Sequence, residues 1–146
     1  MDYRLSRMLH VLLHIGLHDG CATSGTIARM LDTHPVVVRR MLAPFRERGF
    51  VESIRGPGGG WRMARPLDAI TVRDVHETLP GAPLVAFGVT RDHPQCPVER
   101  AVEAGLSPLV EELEERTLGQ LGMLTLERFA ATARANEASR SPATLR

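Results

Sequence analysis

Five consecutive residues, Gly56-Pro57-Gly58-Gly59-Gly60, hold four glycines and a proline. Neither a helix nor a strand interior tolerates that composition, so the run is a loop. Phe50-Val51-Glu52-Ser53-Ile54-Arg55 lies before it and Trp61-Arg62-Met63-Ala64 after it, with Pro66 stopping the second segment. Both alternate at period two, which predicts a β-hairpin over residues 50–65.

The chain before the hairpin has helical spacing. Leu5 to Leu17 carries apolar residues at 5, 8, 9, 12, 13 and 15–17, and Asp19-Gly20 ends that helix. Ser24 is expected to cap a short second helix, Thr26 to Leu31. Asp32-Thr33-His34 reads as a tight turn, and Pro35 suits the first turn of a third helix running toward Arg48, closed by Gly49. Pro44 is expected to kink or shorten that helix. Val36, Met41 and Phe45 are expected to face the core. After the hairpin, Thr71 caps a helix from Val72 to about Leu79.

Pro80 to Pro97 is loop-like, with prolines at 80, 83, 94 and 97. Beyond it Val98, Val102, Leu106, Leu109 and Leu113 form one apolar row on a helix whose outer face is acidic. Gly105 and Pro108 are candidate bends. Thr117 to Gln120 has capping-box spacing and predicts the start of another helix through Leu121, Leu124 and Phe129. The domain reading is 1–79, a winged helix-turn-helix; 80–97, a linker or sensor loop; 98–135, dimerisation helices; 136–146, a flexible tail. The fold class is mainly α with a small β-hairpin.

Composition narrows the function. At 43% hydrophobic residues the chain can build a core, and no apolar run reaches the roughly 20 residues that span a bilayer. The start, charged at Asp2, Arg4 and Arg7, does not read as a signal peptide, so a cytoplasmic protein is expected. Net charge is only +1, but residues 1–66 carry ten arginines against five acids, and residues 67–146 carry eight against twelve. The basic half is the one suited to a polyanion. Every basic residue is Arg, which fits phosphate and guanine edges, although a GC-rich genome would give the same bias.

Helix, short helix, turn, helix and hairpin make a winged helix-turn-helix. The third helix would enter the major groove of double-stranded DNA by its N-terminal part. Ser24, Thr33, His34, Val37, Arg39 and Arg40 are the candidate contacts there. The wing offers Arg55 and Arg62, with Gly58 and Gly59 letting backbone approach phosphate closely.

At the wing, Arg55-Gly56-Pro-Gly-Gly59-Gly60-Trp61-Arg-Met63-Ala64-Arg65-Pro66, followed by Ile70-Thr71 and Asp74-Val75, resembles the signature of the Rrf-two, or IscR-like, family of bacterial winged-helix regulators. Trp61 stands where the family usually has Tyr. Thr117-Leu118…Leu121 resembles the family's late Thr-Leu-x-x-Leu element. The resemblance, to a family of repressors, implies a homodimer paired through the helix at 98–116 and a palindromic operator, often the protein's own promoter. Many members hold an iron–sulfur cluster through three cysteines. Here the matching stretch, Arg91-Asp92-His93-Pro94-Gln95-Cys96-Pro97, has one, so the expectation is a member without a cluster or other cofactor.

Cys96, ahead of a helix N-terminus, is a candidate redox or electrophile sensor; packing in the hinge is the commoner use of such a residue. Cys21 has a weaker case, and a Cys21–Cys96 bridge is left open. His10, His14 and His18 stand four apart, but a polar helix face accounts for them better than a metal site does. Leu84, Val85 and Phe87 of the linker could cover an apolar pocket. No phosphate loop, nucleophile elbow or HExxH is present, so an enzyme is not expected. The rival use of the same fold is a protein-interaction module that binds no specific DNA. A small-molecule or oxidant signal fits the regulator reading.

Overall fold

The computed structural model describes residues 2–140. Six helices and one hairpin follow in the order α1 (Arg4–Leu17), α2 (Ser24–Met30), α3 (Pro35–Glu47), β1 (Val51–Ile54), β2 (Gly60–Met63), a 3-10 turn at Leu67–Ala69, α4 (Val72–Thr78), α5 (Pro97–Gly122) and α6 (Leu126–Arg140). The core joins Met8, Val11, Leu12 and Ile15 of α1 to Ile27 of α2, Val38, Leu42 and Phe45 of α3, Trp61 of β2, and Leu126 and Ala130 of α6. Helices α1, α3 and α6 supply side chains spaced three or four apart, so each buries one stripe.

The strands are antiparallel, with Glu52 opposite Arg62 and Ser53 opposite Trp61. β1 is shorter than predicted, because Phe50 and Arg55 fall outside the ladder, and β2 keeps four residues but starts one residue earlier, at Gly60. The wing is also fastened to the chain ahead of α2. The Ala22 N–H donates to the Trp61 carbonyl at 2.9 Å and the Trp61 N–H to the Ala22 carbonyl at 2.8 Å. Gly60 makes that approach feasible: its φ is +143°, and a Cβ there would lie 2.7 Å from the Ala22 oxygen.

Several local expectations need correcting. Thr23, not Ser24, caps α2, its hydroxyl accepting from the Thr26 N–H at 3.0 Å; Ser24 is the first helical residue. In α3 the buried positions are Val38, Leu42 and Phe45, while Val36 is 45% exposed and Met41 only partly covered. Three consecutive valines, 36–38, make the phase of that helix ambiguous in sequence. Pro44 sits inside α3 and the helix continues to Glu47. The helix after the wing does begin at Thr71, through a full capping box with Asp74.

The C-terminal half differs most. Thr117 starts no helix: it lies inside the 26-residue α5 and its hydroxyl donates to the Leu113 carbonyl at 2.6 Å. The break comes at 123–125, where the Val72 N–H donates to the Leu124 carbonyl (2.8 Å) and the Leu126 N–H to the Ile70 carbonyl (2.9 Å). Those bonds stitch the end of α5 to the start of α4, so α6 returns onto α1 and the 3-10 turn. The helix continues beyond Asn136 to Arg140, where a fraying tail is expected from sequence; residues 141–146 lie outside the described residues.

Candidate nucleic-acid interface

The turn between α2 and α3 is built around Asp32, which takes a left-handed φ of +50°, a conformation Asp tolerates. The Thr33 N–H then donates to the Ala28 carbonyl at 2.9 Å, and the chain enters α3. His34, an exposed residue, is the N-cap: its Nδ1 accepts from the Val36 N–H at 3.3 Å. Pro35 occupies the first turn, where a missing N–H costs nothing. With Val38, Leu42 and Phe45 turned inward, Val36, Arg39 and Arg40 are left exposed, and Val37 is 39% exposed.

The arginines of the basic half divide by what already holds them. Arg4 forms an ion pair with Asp2 at 2.7 Å and donates to the Pro80 and Gly81 carbonyls. Its guanidinium, hydrogen-bonded to Asp2, pulls that carboxyl down to about 2. Arg48 donates to the Thr78 hydroxyl at 2.9 Å, Arg65 donates to the Arg48 carbonyl at 3.1 Å, and both guanidiniums stand over the Phe50 ring. These two brace the base of the wing against α3 and α4. Among the described residues Arg39, Arg40 and Arg55 have no ion-pair partner.

The wing therefore offers two unequal cations. Arg55 follows β1 at the tip, exposed and unpaired among the described residues. Arg62 lies opposite Glu52 and bonds it at 2.5 Å, and that hydrogen bond raises the Arg62 pKa further. Gly58 sits at the exposed tip with φ +73°. Gly59 closes the turn through its N–H to the Gly56 carbonyl at 3.0 Å, and a Cβ on it would collide with the Ile54 carbonyl. Its glycine identity is thus required by the hairpin itself.

Ser24 is committed elsewhere. Its hydroxyl oxygen accepts from the Trp61 Nε1–H at 2.9 Å, tying the start of α2 to the wing. Sequence reasoning misses this strut, as it misses Arg48, Arg65 and Thr78, because each acts through a partner 17 to 37 residues distant; it misses Thr23 because two adjacent hydroxyl residues, Thr23 and Ser24, offer the same cap. The Trp61–Ser24 bond has no signature in a linear pattern.

The sensor candidates lie apart. Cys96 is the N-cap residue of α5, half-buried, and both it and Cys21 are free thiols. The segment before it folds onto α5: the Glu99 carboxylate accepts from the Asp92 and His93 N–H groups at 2.9 and 2.7 Å, and Arg91 pairs with Glu103 at 2.7 Å. His10 and His14 hold their rings 4.7 Å apart on α1, whereas His18 lies past its end in extended backbone. Partial desolvation, then the neighbouring His10, lowers the His14 pKa. No cluster of three His, Cys, Asp or Glu able to hold a metal occurs among the described residues.

A family model described as iron-dependent transcriptional regulator, Rrf2, matches residues 1–132. The HTH-type transcriptional regulator IscR of Erwinia tasmaniensis is 28% identical over 128 residues, covering 85% of this chain and 72% of that protein. Among solved structures, the global cysteine regulator CymR of B. subtilis superposes with a TM-score of 0.57 at 24% identity, covering 90% of this chain and 96% of that one. T. potens IscR gives 0.59 at 22%, covering 90% and 82%. A Lactobacillus plantarum protein assigned as a transcriptional regulator gives 0.70 at 20%, covering 97% and 100%. At these identities the structures speak for the fold alone, a winged-helix fold. The iron in the family description finds no fit here. The loop before α5 brings one thiol, and the carboxylate of Glu99, three residues on, is already engaged by two backbone N–H groups.

Proposed function

The chain belongs to the Rrf2 family of transcriptional regulators, DNA-binding proteins and not enzymes, and we propose that it is a repressor that binds a palindromic operator as a homodimer. In this reading α3 enters the major groove with Thr33, His34, Val37, Arg39 and Arg40, and the wing lays Arg55, Gly58, Gly59 and Arg62 along the backbone or minor groove. The observation that carries it is the division of the arginines. The buttressing ones are bonded within the fold, while Arg39, Arg40 and Arg55, exposed and without an ion-pair partner among the described residues, stand on the two elements a winged helix presents to DNA; Arg7 and Arg46 are exposed and without such a partner too, but on α1 and in the last turn of α3.

Dimerisation is supported by α5. No residue of this long helix is buried, yet Val98, Val102, Leu106 and Leu109 form an exposed apolar row along it. A second copy presenting the same row would cover it, and a two-fold dimer matches a palindrome. A small ligand or an oxidant acting at Cys96 sets the affinity, and the protein works in the cytoplasm. No helix among the described residues is long and apolar enough to cross a membrane.

The test is a titration of the full chain, by fluorescence anisotropy, against DNA from just upstream of its own gene and against unrelated DNA at several salt concentrations. The expected result is preference for the upstream DNA, with log affinity falling by roughly 0.9 per phosphate contact for each unit of log salt. Weak, salt-insensitive binding to both would overturn the regulator in favour of a winged helix that serves a protein partner.

A further inference from the structure

On the flank of α3, turned to α1 and the end of α4, lies a cavity of about 270 Å³. Its wall is apolar, formed by Met8, Val37, Met41, Pro44, Phe45 and Leu79. Arg4, Arg7 and Arg40 also border it, and no acidic residue does. Arg4 is spoken for by Asp2 and by the carbonyls of Pro80 and Gly81. Arg7 and Arg40 are exposed, and among the described residues neither has an ion-pair partner.

An apolar wall bordered by two unneutralised guanidiniums is complementary to an anion with an apolar body. Guanidinium geometry matches a carboxylate through two parallel N–H donors. The volume corresponds to roughly nine water-sized units, so the body is short. Two methionines in the wall let it adapt to the shape of a chain. A nucleic-acid phosphate would satisfy the cations and leave the apolar wall bare.

We propose that this cavity binds a small monocarboxylate with a short apolar tail, of the size of octanoate, and that the bound carboxylate engages Arg40 and so weakens operator binding. The second half rests on the DNA-binding role given above to Val37 and Arg40. Both residues serve the cavity and the candidate interface, so coupling needs no movement relayed through the protein: a guanidinium held by a ligand is withdrawn from DNA. A ligand shifts DNA affinity only as far as it binds the DNA-free form more tightly.

Calorimetry on the DNA-free full chain, with octanoate and its uncharged counterpart octan-1-ol as probes, tests the cavity. Octanoate should bind at one site per chain, and octan-1-ol at least tenfold more weakly. Arg7→Ala, an exposed position that does not threaten folding, should weaken octanoate at least tenfold, and Met41→Trp, which fills the cavity, should abolish it. With octanoate saturating, operator affinity of the unsubstituted chain should fall at least tenfold. No octanoate binding, equal affinity for the alcohol, or unchanged operator affinity with octanoate bound would each overturn the proposal. A chain that bound octanoate as expected but no DNA would sink the regulator reading and the coupling with it, and would uphold the cavity assignment.

Discussion

At the scale of single residues, charge neutralisation and place in the fold together decide which arginines are left for DNA. Arg39 and Arg40 are free of partners among the described residues, so replacing either by Ala should cost operator binding about 1–3 kcal/mol if it meets a base edge, and relax specificity there. Competition titrations against operators mutated base by base check this, and equal binding by both variants would remove them from the interface. The wing pair makes a sharper contrast. Arg55→Ala should lower affinity and reduce the salt slope by about one, whereas Arg62→Ala should do less, because Glu52 already holds that guanidinium. Conversely Glu52→Gln should tighten DNA binding severalfold by releasing Arg62; weaker binding by that variant would mean that Glu52 positions Arg62 for its contact. The candidates at Arg39, Arg40 and Arg55 were legible because exposure of a charged residue is the default. The commitment of Arg48, Arg62 and Arg65 was not, because each depends on a partner that only the fold brings near.

Among the elements, the wing and α2 act as one unit through Trp61. Trp61 is 4% exposed, its indole N–H has Ser24 as acceptor, and its backbone pairs with Ala22 in both directions. Ser24→Ala leaves a buried donor without a partner and should cost about 1–3 kcal/mol of stability, read by denaturant unfolding. In the Trp61→Phe background the same substitution should cost almost nothing, since the donor is gone. Additive losses would show that Ser24 stabilises α2 by another route. The hairpin and the α1 and α4 boundaries were readable because glycine clusters, period and caps are local signals. The end of α5 was misread for a physical reason. Thr117 to Gln120 has a capping pattern, yet inside an established helix a Thr hydroxyl can bond back to the preceding turn, as Thr117 does to Leu113. The true break, Gly122 followed by Thr125 just ahead of Leu126, carries a weaker signal of the same kind. It is fixed by the bonds from the Val72 N–H to the Leu124 carbonyl and from the Leu126 N–H to the Ile70 carbonyl, which link positions more than 50 residues apart.

For the whole molecule, the question is what covers α5. A helix of 26 residues is about 39 Å long. Most of this one contributes nothing to the core, while α6 beyond it contributes Leu126 and Ala130. That asymmetry separates assembly from folding. Substituting Val102 and Leu106 together by Asp should turn a dimer into a monomer, read by sedimentation, and leave thermal unfolding of the winged-helix core nearly unchanged, because neither side chain is buried in one chain. A palindrome is held by two half-sites at once, so the monomer loses the effective concentration that the first contact gives the second. Its operator affinity should fall by roughly a hundredfold or more. A variant that still sediments as a dimer would move the interface off this row. One that is monomeric yet binds the operator as tightly as the parent would show that each chain reads DNA alone, and the operator would then need no two-fold symmetry.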